Sequence, residues 1–184
     1  MTTEQFWDII AASRSDFDSN DAAGNQERQM HRLHSLLSAL SPEEVMEFDR
    51  IFGDTVNKAY DWNLWGAAYL IEGGCSDDGF EYFRRWLISM GREVYEVALR
   101  EPDTLADVAD QPGIETTDFE EFGYVAYEVY EEKTGRELVD DMPSVPRSSL
   151  SGRLSEPAGY GWDHDDEDEL RRRFPKLMAK FWEE

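Results

Sequence analysis

The chain has 184 residues, 40% of them hydrophobic, with 6 Trp, 8 Tyr and 10 Phe, which is too much apolar mass for a disordered polymer and enough for one sizeable core. Its 41 acidic and 18 basic side chains give a net charge of -23, which repels nucleic-acid phosphates and anionic membranes, so neither is expected as a direct partner. Cys75 is the lone cysteine, which excludes an intrachain disulfide and a cysteine-rich zinc site; with no apolar run of spanning length and acidic groups where a leader would be basic, the expected compartment is the cytoplasm.

Thr2 with Gln5 forms a capping box for a first helix that buries Phe6, Ile9 and Ile10 and ends near Arg14. The polar stretch from Asp16 to Asn25 breaks the pattern before Met30, Leu33, Leu37 and Leu40 resume it as a second helix. Ser41-Pro-Glu-Glu44 is a start signal for a third, with Val45, Phe48, Phe52, Val56 and Ala59 as its buried face. Asp61 caps a fourth whose Trp62, Leu64, Trp65, Ala68, Tyr69 and Ile71 point in most directions, as expected of a central, enclosed helix. Gly66 would let another backbone approach, and Gly73-Gly74 ends the helix in the left-handed conformation. Ser76 or Asp77 then caps a fifth, with Phe80, Phe83, Leu87 and Met90 along one face, while Arg84 and Arg85 must reach outward or find acids.

Val94, Val97 and Ala98 predict a short helix to about Arg100, and Pro102 to Ala109 another brief one. Asp118 with Glu121 offers a cap for a helix carrying Phe119, Phe122, Ala126, Val129 and Tyr130 inward, closed by Thr134-Gly135. The Pro, Gly and Ser content of 143–161 predicts a long loop, after which Leu170, Phe174, Leu177 and Phe181 return to helical spacing within 163–182, with Pro175 as a kink or restart. No strand alternation and no fixed repeat emerge. The expected architecture is therefore all-α, a single domain over 1–184 built as an irregular orthogonal bundle of about seven to nine helices.

Trp65-Gly-Ala-Ala-Tyr69, Gly73-Gly-Cys-Ser-Asp-Asp78, Phe80, Phe83-Arg84, Trp86-Leu-Ile88 and Gly91 form a long pattern that resembles the signature of a bacterial family, domain of unknown function forty-two-forty. The similarity extends to Phe6-Trp7, Ser41-Pro-Glu-Glu44, Tyr127-Glu-Val-Tyr130, Pro157-Ala-Gly159 and Phe174-Pro175. The resemblance implies a small, intracellular helical domain with no assigned reaction, so it supplies no catalytic residues.

The turn from Glu72 to Asp78 gathers three carboxylates, the Cys75 thiol and a hydroxyl, with Glu81, Arg84 and Arg85 just beyond. Glu72, Asp77, Asp78 and Glu81 are hard oxygen donors suited to a divalent cation or a general base, and an arginine there suits an anionic substrate. Each residue also has an ordinary structural role: glycines end one helix, Asp77 caps the next, Asp78 favours its positive end and Glu81 pairs with Arg85. The helix start lowers a thiol pKa at Cys75 while Asp77 and Asp78 oppose it, and the available bases, His31, His34 and His164, sit in no recognisable catalytic motif. Glu27, His31 and His34 share a helix face at metal-ligand spacing, yet they also lie beside an apolar stripe where exposed polar residues are expected. Asp163 to Glu169 is acidic but lacks the ligand spacing and turn glycine of an EF-hand.

No phosphate-binding glycine loop, dinucleotide fingerprint or hydrolase elbow occurs, so no catalytic residue and no cofactor is assigned. Charge is uneven: 101–141 holds 14 acidic and 2 basic residues, half the net excess in under a quarter of the chain. The leading expectation is thus a non-enzymatic interaction or regulatory protein that binds a basic protein partner through the acidic surface of 101–141, with Glu120, Glu121, Glu128, Glu131 and Glu132, or through the Glu72 to Asp78 turn; toxin neutralisation is a third possibility. The alternative is a metal-assisted hydrolase or small-ligand sensor centred on Glu72 to Arg85.

Overall fold

A computed structural model describes residues 1–142, 156–163 and 166–182. They form an all-α bundle: α1 (Thr3–Ser13), α2 (Ala22–Ser38), α3 (Pro42–Lys58), α4 (Trp62–Glu72), α5 (Asp77–Ser89), α6 (Arg92–Arg100), two 3-10 turns (Pro102–Asp107 and Glu120–Gly123), α7 (Val125–Thr134), α8 (Leu138–Asp141) and α9 (Glu167–Arg173). Closing turns cover Pro175–Leu177 and Met178–Trp182. Among the described residues there is no strand, only an isolated bridge between Asp61 and Ala158, and no helix is long and apolar enough to cross a membrane.

The helix boundaries follow from local chemistry. Thr2 and Gln5 close a reciprocal capping box on α1, and Ser41 and Glu44 close another on α3, each satisfying backbone donors that the helix itself leaves open. Asp61 accepts from the amides of Asn63 and Leu64 at the start of α4. Gly73, at φ 68°, and Gly135, at φ 69°, end α4 and α7 in the left-handed conformation. Pro175 restarts the chain after α9, since a proline cannot donate into the preceding helix.

Other expectations are corrected. Helix α2 begins at Ala22, inside the polar stretch, because Asn25 is buried, accepting from the Asp18 amide at 2.9 Å and donating to the carbonyls of Asp18 at 2.8 Å and Gly113 at 2.9 Å. Asp118 does not start the expected helix: its carboxyl accepts from the Glu120 amide at the entry to a 3-10 turn whose own cap position, Phe119, has no side-chain cap, and α7 starts only at Val125. Phe119, Phe122, Ala126, Val129 and Tyr130 are nevertheless buried as expected. At α5 the cap is Ser76, whose hydroxyl accepts from the Gly79 amide at 3.2 Å, and Asp77 is the first helical residue. Of the expected loop, 143–155 lies outside the described residues, as does His164.

The core is one contiguous cluster running from Phe6 of α1 through Trp86 of α5 to Met178. Helices α1, α2, α3 and α7 pack on one another, and α4 packs on the Pro102–Asp107 turn and the C-terminal turns. Helix α5 links the two groups, touching α1, α3, α4, α6 and Glu120–Gly123, so it holds the central place expected of α4. Helix α4 is enclosed by aromatic side chains instead: Tyr69 meets Trp162 at 4.9 Å and Trp182 at 5.6 Å.

What approaches Gly66 is likewise a ring rather than a backbone. A Cβ there would fall 2.8 Å from two ring carbons of buried Phe174 and 3.1 Å from the Trp162 indole nitrogen. Substituting Gly66→Ala should therefore destabilise the protein by about 1–3 kcal/mol, as overpacking of a tight core does, despite alanine's better helix propensity. Urea unfolding of the two proteins measures this.

A cleft walled by α3, α5 and α7

The capping box at Ser41 fixes the register of α3, and that register turns Val45, Phe48, Phe52 and Val56 inward. Asp49 falls on the same stripe and is carried inward with them, only 9% exposed. It lines a cleft of about 700 Å³ between α3, α5 and the segment of Gly123, Tyr124 and Tyr127. Neither a hydrogen bond nor an ion pair reaches the Asp49 carboxyl from the described residues.

The opposite wall is α5, where two consecutive arginines diverge. Arg84 is 6% exposed and donates to the carbonyls of Phe80 at 3.1 Å and Val56 at 2.9 Å, its guanidinium lying 4.8 Å from the Phe80 ring and 4.9 Å from Tyr60. Backbone carbonyls and aromatic faces receive it at the inner end of the cleft. Arg85 donates to Glu81 at 2.5 Å and to the Glu120 carbonyl at 2.6 Å, between the rings of Tyr82 and Tyr124 at 5.5 and 5.0 Å. A Cβ on Gly123 would fall 2.7 Å from this guanidinium, so the glycine makes its room. Outside them, Arg50 of α3 pairs with Glu47 and Asp54, each at 2.7 Å.

Burial pushes the Asp49 carboxyl up from 3.8 to about 7, with Arg85 pulling weakly the other way. Tyr127 is raised as well, by burial and then by the neighbouring Asp49 charge.

The sequence-predicted turn divides. Asp77, Glu81, Arg84 and Arg85 all line the cleft; Glu72, Cys75 and Asp78 do not. Glu72 accepts from the buried Thr117 hydroxyl at 3.0 Å, while the Trp65 indole donates to the Cys75 carbonyl at 3.0 Å, so this half ties the turn to its neighbours. Burial, and then the Glu72 charge, push the Cys75 thiol well up, which settles the competition at that residue against a thiolate.

Glu27 and His31 are exposed on α2, and His34 turns to Glu132 of α7 at 3.1 Å, so the three are not brought together. Among the described residues no three of His, Cys, Asp and Glu are placed to hold a metal ion. Of the five glutamates, Glu121, Glu128, Glu131 and Glu132 are exposed, whereas Glu120 is half-buried and accepts from the Tyr124 hydroxyl at 2.9 Å.

Asp49 escaped the sequence reading although it left a signal, a single carboxylate in the stripe Val45, Phe48, Asp49, Phe52 and Val56.

A family model described as a protein of unknown function, DUF4240, matches residues 1–132. The chain belongs to the DUF4240 family. The matched span carries every residue lining the cleft except Met142, while Pro157-Ala-Gly159 and Phe174-Pro175 lie beyond it. No curated protein and no solved structure matches the chain.

In this DUF4240 protein the buried carboxyl has a consequence for stability. Facing Asp49 across the cleft are Glu81, Arg84 and Arg85 of α5, with Tyr124 and Tyr127 beside them, and Arg50 and Asp54 on its own helix. Between the unfolded value near 3.8 and the folded value of about 7, the folded state holds a proton that the unfolded state has lost. This group's contribution to stability therefore falls as pH rises through that window, by at most ~1.4 kcal/mol per pH unit. Asp49→Asn should match the wild type near pH 4 and exceed it by roughly 2–4 kcal/mol at pH 8. Paired urea unfolding curves at the two pH values give the difference.

Proposed function

We propose that this chain is a small-ligand-binding domain whose site is the cleft between α3, α5 and α7. The observation that carries the reading is Asp49, a buried carboxyl without a partner among the described residues, lining a space large enough for an organic molecule. The little access left to this carboxyl is through the cleft, so a group entering there meets an acceptor that burial has already stripped of most of its water. Convergence of Asp77, Glu81, Arg84 and Arg85 on the same cleft supports the sensor form of the alternative reading and shifts its centre from the turn to the inter-helix space.

Gly53 provides the test. It lines the cleft in the middle of α3, and a Cβ there would meet nothing within 4 Å. Gly53→Ala should stabilise the helix by about 0.5–1 kcal/mol and leave ligand binding in place. Gly53→Phe should keep the fold and fill the cleft. A fragment screen read by amide chemical shifts is expected to give hits mapped to Gly123, Tyr124 and Tyr127 that vanish in Gly53→Phe. Hits elsewhere on the surface, indifferent to that substitution, would refute the cleft.

A second reading rests on α7, whose inner face packs on α2 and α3 while Glu128 and Glu131 project outward with no ion pair among the described residues. Outward carboxylates of this kind would suit a basic protein partner. Neutralising Glu120, Glu121, Glu128, Glu131 and Glu132 together should abolish capture of a salt-sensitive partner from lysate while leaving the circular dichroism spectrum unchanged. Equal capture by the variant would exclude the acidic face.

A further inference from the structure

Building on the ligand-binding reading, we infer that the cleft takes an organic ligand bearing a protonated amine, which the Asp49 carboxylate receives and the rings of Tyr124 and Tyr127 flank.

The charges in the cleft decide the class. Its arginines are committed to acceptors of the protein itself: Arg84 to two backbone carbonyls, Arg85 to Glu81 and the Glu120 carbonyl, and Arg50 to Glu47 and Asp54. Two carboxylates remain uncommitted among the described residues, Asp49 in the wall and exposed Asp77. The unmet charge of the cleft is therefore negative. An anion would have to displace Arg85 from its close contacts with Glu81 and Glu120, whereas an ammonium finds an acceptor already waiting.

Two further features narrow the class to an organic cation. Tyr124 and Tyr127 line the cleft at 42% and 41% exposure, so each offers ring surface to a ligand, and aromatic faces attract ammonium groups. The cleft's volume of about 700 Å³ suits a molecule of many atoms, and among the described residues no group of three ligating side chains is placed to hold a metal ion. A bound cation also favours the ionised form of a buried carboxyl, so amine binding should release a proton from Asp49 near neutral pH.

Three probes of one shape and different charge test this: benzylamine, benzyl alcohol and benzoate, each titrated into the full chain at pH 8 and followed by amide chemical shifts. Benzylamine should perturb Gly53, Gly123 and Tyr127 and bind at least about tenfold more tightly than the other two; it should weaken by a similar factor in Asp49→Asn and at pH 5.5. Should Asp49→Asn fold poorly, the side-chain carbonyl carbon of Asp49 in the wild type reports directly, since its pKa must fall when benzylamine is added. Preferential binding of benzoate or benzyl alcohol in the cleft, indifference of benzylamine to Asp49→Asn, or a larger response to calcium chloride alone would overturn the amine and leave the cleft as a site. If no probe perturbs the cleft, the amine inference is overturned and the fragment screen with Gly53→Phe decides the site separately.

Discussion

The spacing of α3 and α5 depends on the guanidinium of Arg84. It joins the last turn of α3, through the Val56 carbonyl, to the Phe80 carbonyl of its own helix, and it is sealed by the Tyr60 and Phe80 rings. A buried charge is tolerated only where hydrogen bonds replace its lost hydration, and removing its acceptors would leave a penalty of several kcal/mol. The two helices are thereby held to each other at the base of the cleft. Arg85, one residue on, points to the other wall and engages the Glu120 carbonyl in the space left by Gly123. Consecutive arginines on one helix thus fix two of the cleft's boundaries in different directions.

That arrangement explains why Asp49 can remain buried. Its stripe on α3 is drawn inward by Val45, Phe48, Phe52 and Val56, whose burial is worth roughly 1.5–3 kcal/mol for each large side chain. The sum outweighs the desolvation of one carboxyl, particularly a carboxyl that titrates near neutrality and sheds its charge at little cost. The long-range field of Arg85 reduces the penalty without cancelling it. Packing thus holds a functional group in an environment that its own solvation opposes.

What the sequence discloses and what it hides divide along physical lines. The capping boxes at Thr2 and Ser41, the Asp61 cap, the left-handed glycines 73 and 135 and the restart at Pro175 act over four residues or fewer, so their spacing alone reveals them. The inward set Phe119, Phe122, Ala126, Val129 and Tyr130 is also legible, but Asp118 bonds the amide of a 3-10 turn that packs against α5 rather than starting the helix itself. The fate of Arg84 depends on a carbonyl 28 residues away, and that of Glu72 on a hydroxyl 45 residues away, distances at which periodicity carries no information. Asp49 was hidden differently: an amphipathic pattern is read by counting apolar residues, and an acid occupying one position of the stripe does not disturb the count.

The same contrast weighs the two functional readings. The outward glutamates of α7 lie in water, where a carboxylate is fully hydrated and its presence costs the fold almost nothing. Solubility alone accounts for them, so their number says little about a partner. Asp49 is in the opposite position, because burial raises its proton affinity and no described residue supplies it a hydrogen-bonding partner. An alanine or leucine would continue the apolar stripe with no titration. On the proposed ligand-binding reading, a carboxyl in that position, at an open cleft whose arginines already have acceptors, is the group that an entering molecule would engage.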